Sequence, residues 1–364
     1  MSSLNKKSLK SVSLIIGIIL TLDILFAQFL KFNPNLIFAN TDQYWKIGEP
    51  LDHYLRPDLD RDVYWLDQSY RLRTNSLGLK DEKTGRIVKK TVGPRILLLG
   101  DSFTEGVGIE YKHTFAGVMA QNLKDCGVSV LNGGTFSYSP ALYYRQAKLL
   151  IEEKGVLVSH IVAMIDISDI QNEFDYFFDT RENVKRKDPR SDIFHLKQFL
   201  KTNSLLFRVA DMIKDRLQYK ETVDIVKSRN PLGINSDLAK WTIDKDLYQN
   251  VGEDGLKIAA SRMERLYQLA RQNNITLSVG VYPWPDQIWH RDRESVQVRF
   301  WYNWTNKRRL EFINMFPEFI NASPRKTTIE KYFIPHDTHW NVTGHRKVAD
   351  ILLTRFRPRF CQKN

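Results

Sequence analysis

The chain has 364 residues, of which 42% are hydrophobic and 26% charged, the composition of a globular protein long enough for one large core or two domains. Its formal net charge is +12, but the lysines and arginines are scattered, and no zinc spacing, aromatic RNA motif or dense basic helix is present. We therefore expect an anionic neighbour, such as a phospholipid surface or an acidic polysaccharide, and no nucleic acid. Two cysteines, Cys126 and Cys361, exclude a disulfide framework and leave open either one disulfide in an exported protein or two free thiols.

Residues 1–31 are predicted to form a membrane anchor, a transmembrane helix. Three lysines precede the apolar run Val12–Leu30, and a run of about 20 residues is long enough to span a bilayer. Basic residues on its N-terminal side favour an orientation that places the rest of the chain outside the cytoplasm. A cleaved signal peptide with its core at Leu14–Leu22 is the alternative, and a buried helix of a soluble protein fits the flanking lysines less well.

Residues 32–69 are expected to be a linker and extended segment. Tyr70–Lys80 then alternates apolar and polar residues and ends in an Asn/Ser/Gly turn, which is typical of a strand. We predict that this strand lies at an edge of the main domain, which spans residues 70–360.

A β–α alternation begins at Arg95. Its predicted strands are Arg95–Leu99, Ser129–Leu131, His160–Ile165 and Thr276–Tyr282, and its predicted helices cover residues 114–124, 141–154 and 255–273. Such an alternation indicates an α/β fold in which a mostly parallel sheet carries helices on both faces. In these sheets ligands bind at the carboxyl ends of the strands.

Residues 176–250 interrupt this alternation. Apolar side chains recur at helical spacing between Ile193 and Leu217, so a helical insertion is predicted. The apolar stripe fits ordinary core packing, and it also suits a lid over the ligand crevice or a docking face for the bilayer.

Two tryptophans fall beside the predicted crevice. Trp284 follows the strand that ends at Tyr282, and Trp340 adjoins a histidine-rich segment. Indole rings suit sugar stacking, although most tryptophans pack in protein cores. Trp284 is therefore a candidate sugar contact, and Trp340 a candidate wall of the site.

The segment RILLLGDSFTEG, residues 95–106, carries the strongest chemical signal. Its apolar run predicts a buried strand, Gly100-Asp101-Ser102 predicts a sharp turn, and a helix is expected from Phe103. A serine at this point lies beside the positive end of a helix dipole and free backbone N–H groups. Ser102 is therefore a candidate nucleophile with part of an oxyanion hole, although Asp and Ser are also ordinary helix caps.

The segment IPHDTHWNVTGHRKV, residues 334–348, can supply the other half of a catalytic site. A serine hydrolase needs a base to accept the hydroxyl proton and an acid to hold the imidazole. Asp337 and His339 fit these roles, whereas His345 falls in the first turns of a predicted helix and is expected to be structural. Alternatively, His336, Asp337 and His339 hold a metal ion.

The motifs GDSFTEG and DTHWNVTGH resemble the GDSL/SGNH hydrolase superfamily, over roughly Tyr70–Phe356. They look most like its membrane-anchored, extracytoplasmic bacterial members, similar to the SGNH domains of alginate-type polysaccharide O-acetylation proteins. The resemblance implies a flavodoxin-like, three-layer α/β/α sandwich without a cofactor or metal. It also implies Ser102 as nucleophile beside Asp101 in the substrate site, His339 as base and Asp337 as its orienting acid.

The resemblance further implies an oxyanion hole built from separate segments. The first donor is the N–H of Ser102, and the second is expected from Ser137, which stands where the family has a glycine, or from Gly134. The third is an asparagine side chain in the family, but this chain has Ser168 at that position, and Asn172 is the alternative one helical turn on. Losing one such donor costs about 100- to 1000-fold in turnover.

These features predict an ester hydrolase or O-acyltransferase that acts on acyl esters, above all acetyl esters, of a cell-surface carbohydrate. It is expected at the bacterial inner membrane, held through residues 12–30, with its catalytic domain in the periplasm and beside envelope polysaccharide machinery. The alternative is a non-catalytic glycan-binding component of such machinery, which the altered third oxyanion position favours. A metallohydrolase is the third option.

Overall fold

The structure is a computed structural model that describes residues 6–31, 45–66, 68–187, 200, 203–207, 209–210, 213–214, 231–234, 236–321 and 324–361. The chain divides into two compact units. The smaller comprises Met1–Tyr44 and Asp188–Val226, and the larger comprises Trp45–Lys187 and Lys227–Asn364. Most of the predicted helical stripe at 193–217 lies outside the described residues.

A five-stranded parallel sheet forms the centre of the larger unit, in the order β11-β10-β7-β5-β6. Its strands are β5 (Arg95–Leu99), β6 (Ser129–Asn132), β7 (His160–Ile165), β10 (Thr276–Val281) and β11 (Glu311–Asn314). Every residue of the two central strands, β5 and β7, is buried. Burial on both faces requires helices on both faces, so the predicted α/β class with a mostly parallel sheet is confirmed.

Two packed helix pairs cover this sheet. α3 (Phe115–Leu123) packs on α12 (Val342–Phe360), and α4 (Pro140–Lys148) packs on α7 (Glu253–Gln272). In α7, the buried side chains recur every three or four residues, which is the period of a helix with one face in the core. The predicted helices at 114–124, 141–154 and 255–273 are therefore found, with the second continuing as a single π-helical turn at Leu149–Glu153.

The remaining helices of the larger unit are short. They are α2 (Ser102–Glu105), α5 (Asp169–Asn172), α6 (Lys245–Leu247), α8 (Pro285–His290), α9 (Val296–Asn306), α10 (Phe316–Ile320) and α11 (Arg325–Tyr332). Single turns of 3-10 helix lie at Tyr111–His113, Lys124–Cys126, Glu173–Asp175 and Lys240–Thr242, and a π turn at Tyr248–Gly252 precedes α7.

Three antiparallel hairpins accompany the sheet. They are β1 (Trp45–Gly48) with β2 (Leu51–Leu55), β3 (Asp60–Trp65) with β4 (Gln68–Arg73), and β8 (Tyr176–Phe178) with β9 (Val184–Arg186). Much of the segment 45–69, suggested as linker by the sequence, thus forms strands of the larger unit.

The strand predicted over Tyr70–Lys80, at an edge of the main domain, is found in part as β4 (Gln68–Arg73), and β4 does not belong to the main sheet. The strand β4 pairs with β3 instead, and the main sheet is reached by a single antiparallel bridge from Lys80 to Asn132 of β6. Alternating hydrophobicity identifies a half-buried strand, but it does not identify the strand's partner.

The smaller unit contains α1 (Lys6–Lys31), which covers the segment predicted to be a transmembrane helix. Asp23 is buried in this unit, and its Oδ1 accepts a hydrogen bond from the Leu206 N–H at 2.9 Å. Large apolar side chains of α1 are exposed, among them Leu14, Ile15, Ile18, Ile19, Leu20, Leu22, Leu25 and Phe26. Within the described part of the chain, no helix has the length and apolarity needed to cross a membrane.

The two cysteines form one disulfide. Cys126 lies in the turn after α3, Cys361 follows the last residue of α12, and their Cα atoms are 5.0 Å apart. The bond therefore fastens the C-terminal helix to the end of the helix on which it packs.

Candidate active site

The strand β5 ends at the carboxyl edge of the sheet, and the tightly packed turn that follows it places Ser102 at this edge. A Cβ on Gly100 would lie 2.0 Å from the hydroxyl oxygen of Thr104, so only glycine fits there. The Asp101 side chain caps the following helix by accepting from the Phe103 N–H at 3.0 Å. Ser102 is the first residue of α2 and is 6% exposed.

The two distant motifs meet at this turn. The Ser102 hydroxyl lies 2.8 Å from Nε2 of His339, and Nδ1 of His339 lies 2.9 Å from Oδ1 of Asp337. Both distances are those of good hydrogen bonds. With the proton on Nδ1, the imidazole donates to the carboxylate and accepts from the serine, which is the arrangement that activates a serine nucleophile.

The loop between α11 and α12 holds His339 in place. The Ile334 N–H donates to the His339 carbonyl at 2.8 Å, and the Asp337 N–H donates to the Ile334 carbonyl at 3.0 Å. Asn341 caps α12 through the Gly344 N–H at 3.0 Å. The base therefore lies in a tight turn fixed by backbone hydrogen bonds, immediately before a long helix.

Burial and charge act in opposite directions on this pair. Burial alone disfavours the charged imidazole, but Asp337 outweighs it and raises the pKa of His339 above its ordinary value. Burial would likewise raise the pKa of Asp337, but His339 and the hydrogen bonds to the carboxylate lower it. The site therefore stabilises an imidazolium beside a carboxylate, the charge state formed when His339 accepts a proton.

The other two histidines of the motif do not join this chain of hydrogen bonds. His345 is buried, its Nδ1 faces the Phe115 N–H at 3.3 Å, and burial lowers its pKa to about 3. It is structural, as expected. His336 has a backbone φ of 64° and donates its N–H to the Pro231 carbonyl at 3.2 Å.

The metal alternative is not supported at His336, Asp337 and His339. In the described part of the chain, the group of side chains that could hold an ion together is a different one, Asp101, Asp166 and Asp169. The carboxylate of Asp337 and both ring nitrogens of His339 are engaged in the hydrogen bonds above.

The backbone N–H groups of Ser102 and Ser137 are available as oxyanion donors. Within the described residues, neither N–H donates a hydrogen bond, whereas the Gly134 N–H donates to the Asn132 side chain at 3.0 Å. Ser137 has a φ of 59°, a left-handed conformation that favours glycine. The structure thus favours Ser137 over Gly134 as the second oxyanion donor.

Gly134 has a packing role instead. A Cβ at this position would lie 2.1 Å from the backbone nitrogen of Glu105, in the nucleophile's own helix. The next residues are tied to the same helix, because the Phe136 N–H donates to the Glu105 carboxylate at 2.8 Å. The loop that carries Ser137 is therefore fixed to α2.

The third predicted donor is already engaged. The hydroxyl and the N–H of Ser168 both lie 2.6 Å from Oδ1 of Asp166 and donate to it. Asn172 lies at the end of α5, where its N–H bonds the Ser168 carbonyl at 3.3 Å, and no hydrogen bond of its side chain is seen within the described residues.

Behind the nucleophile lie three buried carboxyl groups, Asp101, Asp166 and Asp169. Burial raises the pKa of each, and for Asp101 and Asp169 the neighbouring carboxyls add to the rise. The three groups also accept from aromatic side chains: Tyr282 donates to Asp101 at 3.2 Å and Tyr143 to Asp169 at 2.8 Å. The pKa values of the three carboxyls are raised, and protein groups already donate hydrogen bonds to them. The cluster is therefore a hydrogen-bonded support under Ser102 and not an accessible substrate contact.

Trp284 and Trp340, the candidate substrate contacts, are part of the core. Trp284 is 5% exposed and donates its indole N–H to Asp166 at 2.7 Å, and Trp340 is 1% exposed. Trp340 packs edge-on against Phe103, with ring centroids 4.8 Å apart. Neither ring presents a face on which a sugar can stack, so both support the site from behind.

Three further side chains that build the site were not predicted from the sequence. Trp65 of β3 donates its indole N–H to Oδ2 of Asp337. Lys80 is buried and donates to the Gly106 and Ile109 carbonyls, which fixes the loop after α2, and burial lowers its pKa to about 8. Glu105 is fully buried beside it, and burial raises the pKa of its carboxyl. Trp65 and Lys80 lie outside both motifs, and Glu105 lies within GDSFTEG but carries no pattern that predicts a buried carboxyl.

No protein-family model and no curated protein matches this chain. Among solved structures, a member of the lipolytic G-D-S-L family from Veillonella parvula is 14% identical, with 72% of this chain and 98% of that one covered and a TM-score of 0.39. An acetylxylan esterase from Geobacillus stearothermophilus is 12% identical, covering 73% and 95%, with a TM-score of 0.38. An esterase from a Pseudoalteromonas species is 9% identical, covering 74% and 99%, with a TM-score of 0.39.

Because the identities and TM-scores are low, the activity proposed below rests on the geometry of Ser102, His339 and Asp337 and not on these similarities. Membrane anchoring and the O-acetylation type stay predictions.

Proposed function

We propose that this protein is a serine ester hydrolase of the GDSL/SGNH type. The observation that carries the proposal is the continuous chain of hydrogen bonds from the Ser102 hydroxyl through His339 to Asp337, at 2.8 and 2.9 Å. Residues 237 positions apart in sequence make the first of these contacts. These residues lie at the carboxyl edge of a parallel sheet, which is where such folds bind ligands.

In the proposed reaction, His339 takes the Ser102 proton while the serine oxygen attacks the ester carbonyl carbon. The N–H groups of Ser102 and Ser137 stabilise the resulting oxyanion. Collapse of this intermediate breaks the bond to the alkoxy group, which leaves with the proton from His339. The acyl group is then on Ser102, and a water or another hydroxyl, deprotonated by His339, attacks it and frees the serine.

The finer proposal concerns the substrate. We infer that it is an acyl ester, with acetyl the first candidate, of a carbohydrate outside the cytoplasm, and that the final acceptor is either water or a sugar hydroxyl. Support comes from the Cys126–Cys361 disulfide, a bond that persists in oxidising compartments. The net charge of +12 suits an acidic polysaccharide or lipid surface.

The proposed location is the bacterial envelope, on the outer side of the inner membrane. The sequence has three lysines before the apolar run of α1, and large apolar side chains along this helix are exposed. Contact of α1 with lipid would remove these side chains from water. Membrane flotation of the full chain and of a chain lacking residues 1–31 tests this, since only the full chain is expected to float with vesicles.

The catalytic proposal is tested by a fluorophosphonate probe and p-nitrophenyl acetate at neutral pH. We expect stoichiometric labelling, located at Ser102 by peptide mapping, and hydrolysis that EDTA does not affect. Hydrolysis abolished by EDTA would indicate a metallohydrolase. Absence of both labelling and hydrolysis in the folded protein would favour the non-catalytic glycan-binding component.

The oxyanion assignment predicts opposite results at two neighbouring positions. Ser137→Gly retains the N–H and suits the φ of 59°, so we expect kcat for p-nitrophenyl acetate to stay within about twofold of wild type. Gly134→Ala forces a Cβ to within 2.1 Å of the Glu105 nitrogen and displaces α2, so we expect kcat to fall about 100-fold. A large loss in Ser137→Gly would show that the hydroxyl, and not the N–H, is the donor.

A further inference from the structure

The carboxylate of Asp337 is held from both sides. Its Oδ1 accepts from His339 and from the Thr338 N–H, and its Oδ2 accepts from the indole N–H of Trp65. A carboxylate bonded through a single oxygen can still rotate about its terminal torsion, whose energy profile is broad. Donors on both oxygens fix the plane of the group, and with it the direction of the hydrogen bond to the imidazole.

Trp65 belongs to a part of the chain far from either catalytic motif. It is the last residue of β3 and lies 272 positions before Asp337. The hairpin is not loosely attached, because Val63, Tyr70 and Leu72 are buried. The Tyr70 ring packs under the ammonium of Lys80 at 4.9 Å, the group that fixes the loop after the nucleophile's helix.

The indole also touches the base. Its ring lies edge-on to the His339 imidazole, with centroids 5.1 Å apart and planes at 84°. Phe103 covers His339 at a centroid distance of 4.6 Å. Gly108 abuts the indole, since a Cβ there would lie 3.2 Å from Cδ1 of Trp65. The half-buried tryptophan therefore fits between the nucleophile's loop and the acid–base pair.

We propose that Trp65 is a positioning residue of the catalytic triad: the β3–β4 hairpin supplies the second hydrogen bond that orients Asp337 toward His339. The inference rests on the proposed serine hydrolase mechanism. In this role Trp65 does not touch the reacting atoms, and it acts through the carboxylate. The hairpin thereby becomes part of the active site, although it lies outside the α/β sandwich.

The test is Trp65→Phe, which keeps an aromatic ring and removes the N–H. With p-nitrophenyl acetate as substrate, we expect kcat to fall about 10- to 100-fold with KM little changed, because a misoriented acid no longer aims the imidazole at the Ser102 hydroxyl, whereas substrate binding is unaffected. Tyr64→Phe is the matched control on the same strand, since Tyr64 is 66% exposed, and it should behave as wild type.

The pH profile separates this role from simple packing. His339 must be neutral to accept a proton, so hydrolysis is lost as the pH falls through its pKa. Without the indole donor, more negative charge remains on the Asp337 oxygens that face the imidazole, which stabilises the imidazolium. The acid limb of kcat/KM is therefore expected to move to higher pH in Trp65→Phe, a shift that a loosened hairpin alone would not produce.

A double-variant comparison completes the test. If Trp65 acts through Asp337, then Trp65→Phe should change kcat by less than about twofold in an Asp337→Asn background. Equal fold-losses in both backgrounds, or an unmoved acid limb, would overturn the role of Trp65 while Ser102 labelling in the wild type preserves the hydrolase proposal. A wild type that neither labels nor hydrolyses the ester would overturn both.

Discussion

Replacing either Ser102 or His339 by alanine is expected to lower kcat for p-nitrophenyl acetate by about 10⁴- to 10⁶-fold. The reason is the 2.8 Å contact between them: the hydroxyl is a poor nucleophile until the imidazole takes its proton, and the imidazole has no covalent role without the hydroxyl. Because the two groups act as one unit, the double variant should be no slower than either single variant.

The measurement is kcat of the purified full chain, with fluorophosphonate labelling in parallel. Ser102→Ala should abolish labelling, and His339→Ala should slow it by a similar large factor. His345→Gln serves as the control, because His345 faces the Phe115 backbone instead of the nucleophile. If the fold-losses of the two single variants multiply in the double variant, or if His339→Ala is fully active, another group serves as the base.

The contact between Ser102 and His339 could be predicted from the sequence because local chemistry marked both segments. The buried strand before Gly100-Asp101-Ser102 and the turn before the last long helix are each fixed by short-range interactions, namely the Asp101 cap and the Asn341 cap. The rule that ligands bind at the carboxyl edge of a parallel sheet then places the two segments together. The four strands predicted in the β–α alternation from Arg95 are all found, with ends that differ by at most one residue.

The same reasoning failed where another residue of the fold already engages the polar group of a candidate side chain. The resemblance implied Ser168 as an oxyanion donor, but Asp166, two residues earlier, accepts hydrogen bonds from its hydroxyl and its N–H. Trp284 looked like a sugar platform, but its indole N–H is bonded to the same carboxylate in the core. The sequence alone shows that a polar group is present. It does not show whether that group already has a hydrogen-bond partner in the folded protein.

The Asp101, Asp166 and Asp169 cluster extends this point to electrostatics. Three carboxyls in one buried place cannot all ionise at low cost, and burial raises the pKa of each. The cluster nonetheless lies close to His339, and Asp101 and Asp166 favour the cationic form of that histidine. Any negative charge that the cluster retains therefore stabilises the imidazolium of His339. The aromatic hydrogen-bond donors around the cluster offset the cost of burying that charge.

Removal of the disulfide by the double variant Cys126→Ser/Cys361→Ser is expected to lower the free energy of unfolding of the larger unit by about 4 kcal/mol. The bond joins residues 235 positions apart, so its loss frees a very long loop in the unfolded chain. It also releases the end of α12, the helix that begins directly after His339 and Trp340.

Urea unfolding of the full chain, followed by tryptophan fluorescence, measures the loss. Reductant should bring the wild type to the stability of the variant and leave the variant unchanged. A wild type indifferent to reductant would mean that the bond does not form, and it would remove the main support for an oxidising compartment.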